Sequence, residues 1–442
     1  MDTLYGRNKE EHPEPIKAEV QGQLPTWLRG ILLRNGPGMH TIGESKYNHW
    51  FDGLALLHSF TFKNGEVYYR SKYLRSDTYN CNIEANRIVV SEFGTMAYPD
   101  PCKNIFAKAF SYLSHTIPEF TDNCLINIMK AGDDFYATGE TNFIRKINPQ
   151  TLETLEKVDY NKYVAVNLAT SHPHYDSAGN VLNMGTSIVD KGKTKYVLFK
   201  IPSSVPEKEK KKSCFKHLEV VCSIPSHSLL HPSYYHSFGL TENYIIFIEQ
   251  PFRLDIVKLA TAYIRGVNWA SCLAYNKDDK DAEVGSNLVR LASTATAVKE
   301  KDGNIYCQHE TLCEGIELPR INYDYNGKKY KYVFATEVQW SPVPTKIAKL
   351  NTQTKEMLHW GQDHCWPSEP VFVPRPDAKE EDDGVVLTCV VKSDPKEAPF
   401  LLVLDAKTFT ELGRATVNVE MHMDLHGMFI PEQVVKTETE KK

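Results

Sequence analysis

Short apolar runs separated by turn-forming residues dominate the chain. β-branched and aromatic residues alternate with Gly, Asn, Asp and Pro, which is the pattern of β-strands joined by tight turns. The clearest runs lie at 55–62, 244–248 and 384–391. Pairs that tolerate the positive φ of hairpin turns occur at Asn64-Gly65, Gly179-Asn180 and Asp302-Gly303. The pattern therefore predicts an all-β chain.

One strand-turn-strand pattern occurs three times. Its copies are Ile147–Glu153 (INPQTLE), Leu350–Glu356 (LNTQTKE) and Leu404–Glu411 (LDAKTFTE). Repetition of such a unit is typical of a β-propeller, in which each blade is a small meander that its neighbours help to bury. The spacing of the copies is irregular, so a chance similarity between turns is the alternative interpretation.

Two segments break the strand pattern. Residues 104–120 carry Phe106, Phe110 and Leu113 at helical spacing. The second segment, 253–275, predicts a helix with one apolar stripe formed by Ile256, Leu259, Ala260, Tyr263, Ile264 and Val267. Either helix could pack on the propeller, or it could form an exposed apolar lip that contacts a membrane or admits a lipid.

Composition narrows the class of protein. The 442 residues include 51 Lys and Arg against 56 Asp and Glu, a formal charge of −5 with no basic block, which argues against a nucleic-acid partner. The N-terminus has no apolar core of a secretory signal, and no run of apolar residues is long enough to cross a membrane. Ten cysteines without a CxxC pair predict reduced thiols in the cytosol. The charge runs 207–212 and 379–383 are predicted to be solvated loops.

Three histidines lie at or near predicted strand ends. They are His172 in Ser-His-Pro-His, His236 in Tyr-Tyr-His-Ser-Phe, before a strand that looks buried, and His426 in Leu-His-Gly. Neutral imidazoles suit iron, zinc and copper, so a shared metal is one interpretation. Histidines that are simply satisfied in the core are the other.

An imidazole that binds a metal usually has its second nitrogen held by a carboxylate. Three glutamates at apolar or Pro-rich strand ends are candidates for this role: Glu140, Glu317 and Glu369. A glutamate bonded to the backbone or to an arginine is the structural alternative.

Taken together, these residues resemble the carotenoid cleavage oxygenase family. The motifs that carry the resemblance follow the family's order: Leu-Arg-Asn-Gly-Pro at 33–37, His-Trp-Phe-Asp-Gly at 49–53, Ser-His-Pro-His at 171–174, Tyr-His-Ser-Phe at 235–238, Pro-Ser-Glu-Pro at 367–370, Glu-Asp-Asp-Gly at 381–384 and Leu-His-Gly at 425–427. The resemblance covers the chain nearly end to end.

The resemblance implies a seven-bladed β-propeller with four histidines around one Fe(2+) and a few helices capping the face where substrate enters. His172, His236 and His426 match three ligand positions, and Glu140, Glu317 and Glu369 match the glutamates that orient such ligands. The fourth histidine is missing. His309 lies in a different motif.

The gap in the pattern lies near Lys280-Asp281. There the family carries one to two further blades, on the order of 80 residues, which indicates a product that lacks an exon. We therefore expect one propeller domain over 1–430 with part of its middle blades missing, followed by a disordered tail over 431–442.

The activity implied by the resemblance is addition of O2 across the central double bond of β-carotene to give two molecules of retinal. Phe51, Tyr234 and Tyr235 are expected to line the substrate tunnel, with ordinary core packing as the alternative. Peripheral membrane contact is also expected. Three other functions stay open: a shortened, iron-poor chain that binds carotenoid without catalysis, a retinoid isomerohydrolase, and an interaction scaffold.

Overall fold

The computed structural model describes residues 8–97, 120–205, 213–275, 283–287, 296–302, 305–308, 310–338 and 344–434. Within these ranges most strands belong to five antiparallel sheets of four to six strands, arranged like the blades of a propeller. The predicted all-β class is confirmed. Seven blades stay a prediction.

Strands near both ends of the described chain belong to the first and fifth sheets. The first sheet has the order β1 (Ile16–Lys17), β7 (Glu66–Tyr73), β6 (Leu54–Lys63), β3 (Gly30–Met39) and β32 (His426–Pro431). The fifth has the order β2 (Glu19–Gly22), β31 (Glu411–Thr416), β30 (Phe400–Asp405), β29 (Gly384–Lys392) and β27 (Cys365–Pro367), and β28 (Val371–Pro374) also pairs with β29. Because β32 pairs with β3, the last strand of the chain completes the first sheet.

The three middle sheets are meanders along the chain. The second contains β8 (Asn127–Ala131), β9 (Asp134–Thr138), β10 (Phe143–Ile147) and β11 (Thr154–Asp159). The third contains β12 (Leu168–Ala169), β13 (His174–Tyr175), β14 (Val181–Asp190), β15 (Lys193–Ile201) and β16 (Glu219–Pro225). The fourth contains β23 (Ile316–Arg320), β24 (Tyr332–Glu337), β25 (Lys346–Asn351) and β26 (Met357–Gly361).

Four small sheets have only two strands each. They are β4 (Thr41–Ile42) with β5 (Ser45–Lys46), β17 (Gly239–Leu240) with β18 (Ile245–Ile246), β19 (Phe252–Leu254) with β20 (Leu273–Tyr275), and β21 (Thr296–Lys299) with β22 (Ile305–Gln308). Three of the four lie between the third and fourth sheets in the sequence. The run 244–248 was predicted to be a buried strand, and this is wrong: only two residues are extended, and Tyr244 and Ile248 are 73% and 68% exposed. In the described ranges β18 has no neighbour but β17, so nothing covers these side chains.

The three predicted repeats form the same turn. In each, the first Asn or Asp accepts backbone hydrogen bonds on its side chain and lies four residues before a residue with positive φ. Those residues are Leu152 (58°), Lys355 (62°) and Phe409 (59°). Each turn joins the last two strands of a meander, β10–β11, β25–β26 or β30–β31. Shared geometry at three places favours a repeated unit over a chance similarity.

Two α-helices lie wholly within the described residues, α1 (Asp77–Glu84) and α2 (Ile256–Arg265), and residues 432–434 are also helical. Single 3-10 turns occur at Trp50–Asp52, Tyr160–Lys162, Cys214–His217, Trp269–Cys272 and Tyr323–Tyr325. The second predicted helix is thus confirmed over a shorter range. Its Ile256 and Leu259 are buried against Ile188 and Leu254, which supports packing on the sheets. Of the first predicted helix, 104–120, all but Phe120 lies outside the described residues.

Helix α1 has no apolar stripe that could have revealed it. Ser76 caps the N-terminus of this helix. Its hydroxyl accepts the backbone N–H of Tyr79 at 3.0 Å, which satisfies a donor that has no partner within the helix. No described helix has the length and apolar character needed to cross a bilayer.

The core lies between neighbouring sheets. Its largest cluster fills the space between the first and fifth sheets, with Leu32, Phe60 and Leu401 fully buried. Charged residues also enter the interior. The run 379–383 is a loop, as predicted, and Lys379 and Glu380 are exposed, but the prediction of full solvation is wrong at Glu381 and Asp382. Asp382 is 4% exposed and pairs with buried Lys349, and the carboxylate of Glu381 accepts backbone N–H groups of the fourth sheet. The other charge run, 207–212, lies outside the described residues.

The predicted tail over 431–442 is described only at its start. Pro431 ends β32, and the backbone N–H of Glu432 donates to the carbonyl of Arg29 at 3.1 Å. Residues 435–442 lie outside the described ranges.

Candidate metal centre

Three loops bring His172, His236 and His426 to one focus. His172 lies between β12 and β13, His236 lies just before β17, and His426 is the first residue of β32. One ring nitrogen of each lies within 4.8 Å of the others. The Nε2 atoms of His172 and His236 are 2.9 Å apart, and the ring centroids of His172 and His426 are 4.6 Å apart.

Buried amides hold the loop that carries His172. The side chain of Asn127 donates to the carbonyl of Ser171 at 2.8 Å, and that of Asn183 donates to the carbonyl of Thr170 at 2.9 Å. The backbone N–H of His172 then donates to the Thr170 hydroxyl at 2.8 Å. Sequence reasoning missed these asparagines, although an Asn inside an apolar strand is a visible signal because a buried amide must be hydrogen-bonded.

Glu140 orients the imidazole of His236. One carboxylate oxygen pairs with Nδ1 of His236, and the other accepts the hydroxyl of Tyr234 at 2.7 Å. Burial alone lowers the pKa of His236, but the hydrogen bond and charge of Glu140 outweigh it, so this pKa is raised. The His236 side chain is nevertheless 50% exposed. The pair therefore sits on the open side of the centre.

Glu369 orients His426 in a closed environment. Its Oε1 pairs with Nδ1 of His426 at 2.8 Å, and the His426 side chain is only 10% exposed. Two guanidinium groups also reach this carboxylate, Arg34 at 2.9 Å and Arg320 at 3.3 Å. Burial raises the pKa of Glu369, but the charges of Arg320, His426 and Arg34 prevail and bring it to about 2. Neither arginine was identified from the sequence.

Glu317 is not bonded to any of the three imidazoles. It lies on β23, opposite Thr336, and is exposed. Its charge is the smallest of the contributions that raise the pKa of His236. Among the described residues, no histidine donates Nδ1–H to the carboxylate of Glu317. Glu140 and Glu369, in contrast, each pair with Nδ1 of a histidine. His309 lies outside those residues.

The three aromatic residues expected in a tunnel occupy different surroundings. Tyr234 bonds to Glu140 at the centre, whereas Tyr235 packs in an apolar cluster with Met184, Tyr196, Leu198 and Phe238. Phe51 is 40% exposed, and its ring is tilted against that of Trp50 with ring centroids 5.4 Å apart. Lining of a tunnel stays a prediction for all three.

The donor set suits a borderline transition metal. Burial, followed by the neighbouring His426 and His236, lowers the pKa of His172 well below its ordinary value, so its imidazole is neutral and able to ligate. In His236 and His426 the carboxylates occupy Nδ1 and leave Nε2 for a metal. Two nitrogens bound at about 2.1 Å and at right angles to each other lie about 3 Å apart, close to the separation of His172 and His236.

The fold and the site define a propeller-like protein with a focus of three imidazoles, two of them held by carboxylates. Comparison with known proteins then gives the family. A sequence profile described as retinal pigment epithelial membrane protein matches residues 5–285 and 281–431. The chain belongs to this family, the carotenoid oxygenases, and the predicted resemblance is confirmed.

Similar proteins cover the whole chain. Beta,beta-carotene 15,15'-dioxygenase of Gallus gallus is 73% identical to this chain, and the alignment covers 100% of both proteins. The Homo sapiens protein of the same name is 62% identical over 98% of this chain and 95% of its own. A solved structure of a Synechocystis apocarotenoid oxygenase mutant matches with a TM-score of 0.72 and 20% identity over 97% of this chain and 98% of that one.

This chain is shorter than the alignment with its relative. The alignment with the Gallus gallus protein spans 526 positions, and this chain has 442 residues, a difference of 84. The two profile matches overlap at 281–285. The gap near Lys280-Asp281 stays a prediction.

Proposed function

We propose that this chain is built as an iron-dependent dioxygenase that cleaves the central double bond of β-carotene with O2 to give two molecules of retinal. The observation that carries the proposal is the convergence of His172, His236 and His426. The 73% identical relative named for this reaction supports the choice of substrate. Iron is the metal expected from the family, and imidazole nitrogens are ligands that suit it.

Each part of the site has a role in this reaction. His172, His236 and His426 would hold the metal, and Glu140 and Glu369 keep the two outer imidazoles aimed at it. Bound Fe(2+) would supply the activation of O2, because a polyene offers no group for acid–base chemistry. Tyr234 satisfies the second oxygen of Glu140 and so prevents this carboxylate from turning away from His236.

The shortened chain retains only part of this design. Glu317 matches a glutamate of the family but holds no imidazole among the described residues, and the His236 side chain is half exposed. We infer that the β17–β18 and β21–β22 pairs are what is left of two further blades, which would bring the family's propeller to seven. We expect the exposed side of His236 to be accessible to water. A chain that binds carotenoid or metal without turnover is therefore the second candidate function.

Metal content and product formation separate the two candidates. Purified protein loaded with Fe(2+) under anaerobic conditions should contain about one iron per chain and form retinal from β-carotene in air. His426→Ala should lose both, and His364→Ala, at an exposed position, should lose neither. Iron without retinal supports the binding protein, and absence of iron from the unaltered chain contradicts the proposal. Incubation with a retinyl ester tests for an isomerohydrolase.

A further inference from the structure

Arg34 connects two buried carboxylates on opposite sides of its guanidinium. Its Nη1 donates to Oε2 of Glu369 at 2.9 Å, and its Nε donates to Oδ1 of Asp424 at 3.0 Å, with Nη2 bonded to the same oxygen. The side chains of all three residues are at most 1% exposed. The other oxygen of Glu369 is the one that holds His426. Arg34 thus lies one residue beyond the carboxylate that orients a candidate ligand.

A second contact fixes the far end of this network. Oδ2 of Asp424 pairs with Nε2 of His58 at 2.9 Å, and both side chains are fully buried. His58 lies on β6, directly opposite Arg34 of β3. A continuous series of contacts therefore runs from His58 through Asp424, Arg34 and Glu369 to His426.

The backbone is shaped to admit this network. Gly427 lies opposite Arg34, and a Cβ there would lie 2.8 Å from Cδ of Arg34 and 2.1 Å from the carbonyl oxygen of Leu33. A Cβ at Gly36 would lie 2.8 Å from Cα of Asp424. Gly427 thus allows Arg34 to approach the strand that carries His426, and Gly36 allows Asp424 to approach the strand that carries Arg34.

We propose that Arg34, held by Asp424 and His58, is a positioning residue of the metal centre. It fixes Glu369 in the rotamer that points Nε2 of His426 at the common focus. The planar fork of arginine can serve two carboxylates at once, whereas a lysine at this position would be a point charge that cannot reproduce both geometries. The inference rests on the proposed metal centre and adds to it a residue that does not touch the metal.

The test compares two aspartates in buried ion pairs. Asp424→Asn weakens the hold on Arg34, and Asp382→Asn weakens the pair with Lys349, which shares no hydrogen bond with the site. Co(2+) binding is measured by titration and by visible absorption, together with thermal unfolding. We expect both variants to lose stability, but only Asp424→Asn to raise the Kd for Co(2+), by about 10–100-fold, and to change the absorption bands. Arg34→Lys should show the same split.

A second measurement uses the metal-free chain. With 15N-labelled histidine, NMR should show His426 in the Nδ1–H tautomer, identified by its loss in His426→Asn, and Arg34→Lys should mix the tautomers. If the variants at 424 and 34 keep both the tautomer and the Co(2+) affinity, the inference is overturned. If the unaltered chain binds no Co(2+), the proposed metal centre fails, and the tautomer measurement still decides whether Arg34 positions His426. Should Asp424→Asn not fold, His58→Gln, at the far end of the network, replaces it with a smaller expected effect.

Discussion

Strand β29 and the run 244–248 have similar sequences and opposite surroundings. Both are rich in β-branched residues, but β29 lies inside the six-stranded fifth sheet and has eight of its nine residues buried. In the other run β18 has two residues, both exposed, and pairs only with β17. The comparison teaches that an apolar run forms a buried strand here only where the sequence also supplies neighbours to cover it.

The candidate metal centre shows the same contrast between a buried and an exposed part. His426 belongs to the completed first sheet and is closed in by Glu369, Arg34 and Arg320. His236 precedes the two-stranded β17–β18 pair and is half exposed. One side of the centre is therefore buried, and the other is half exposed.

The largest contrast is expected between the two carboxylates of the centre. Glu369→Gln removes the buried negative charge that pairs with Arg34 and Arg320. Because this leaves the buried guanidinium of Arg34 only partly compensated, the free energy of unfolding should fall by about 3–5 kcal/mol. Glu140 is 28% exposed, so Glu140→Gln should cost about 1 kcal/mol. Urea unfolding of the metal-free variants measures both values. Equal losses of stability in the two variants would contradict the difference between the buried and the half-exposed side of the centre.

The same contrast should appear in apolar side chains. Leu402 is fully buried in the fifth sheet, and Leu402→Ala should cost about 2–5 kcal/mol because it leaves a cavity. Ile246 on β18 is 55% exposed, and Ile246→Ala should change stability by no more than about 0.5 kcal/mol. Urea midpoints at constant slope check the pair. A large cost at Ile246 would show that a partner covers β18 in solution.

His40, which follows β3 of the first sheet, should make the protein less stable in mild acid. Burial, followed by the charges of Lys9 and Lys46, lowers the pKa of His40 to about 4 from the usual 6.5. The unfolded chain binds the proton first as the pH falls, so stability is highest above pH 6.5 and declines until about pH 4. The loss from this group is about 3 kcal/mol at most. His40→Gln should flatten the pH dependence of unfolding in that window, and an unchanged slope would contradict the assignment.

The smallest effect is expected at the repeated turns. Asp405→Ala removes the side-chain oxygen that accepts the backbone N–H groups of Lys407 and Thr408, which should cost about 1 kcal/mol. Asn351→Ala should behave alike, because its turn has the same bonds. Thermal unfolding measures both. A clear difference between the two would argue against one repeated unit.

Local chemistry made part of the fold predictable. The Asn or Asp that opens each repeated turn and the glycines of the hairpins act within a few residues of themselves, so the turns could be inferred from sequence. The stripe at Ile256 and Leu259 predicted α2 for the same reason. The exposure of 244–248 could not be predicted from that segment, because it depends on strands elsewhere in the chain.

The site was predictable only where a resemblance supplied long-range information. Spacing gave no reason to bring together His172, His236 and His426, which the fold places within 4.8 Å. The motif at 33–37 contributed to the resemblance, but no role was predicted for the side chain of Arg34. Its side chain contacts Asp424, 390 positions away, and no local pattern reports a contact at that distance.

The pairing of β32 with β3 has a consequence for how the molecule is made. Strand β3 leaves the ribosome long before residues 426–431, so its edge stays unpaired until β32 has been made. Contacts between residues so far apart in sequence form slowly, because closing the long intervening loop costs entropy. His426 is part of β32, so a metal could find its three ligands together only after that strand has been synthesised.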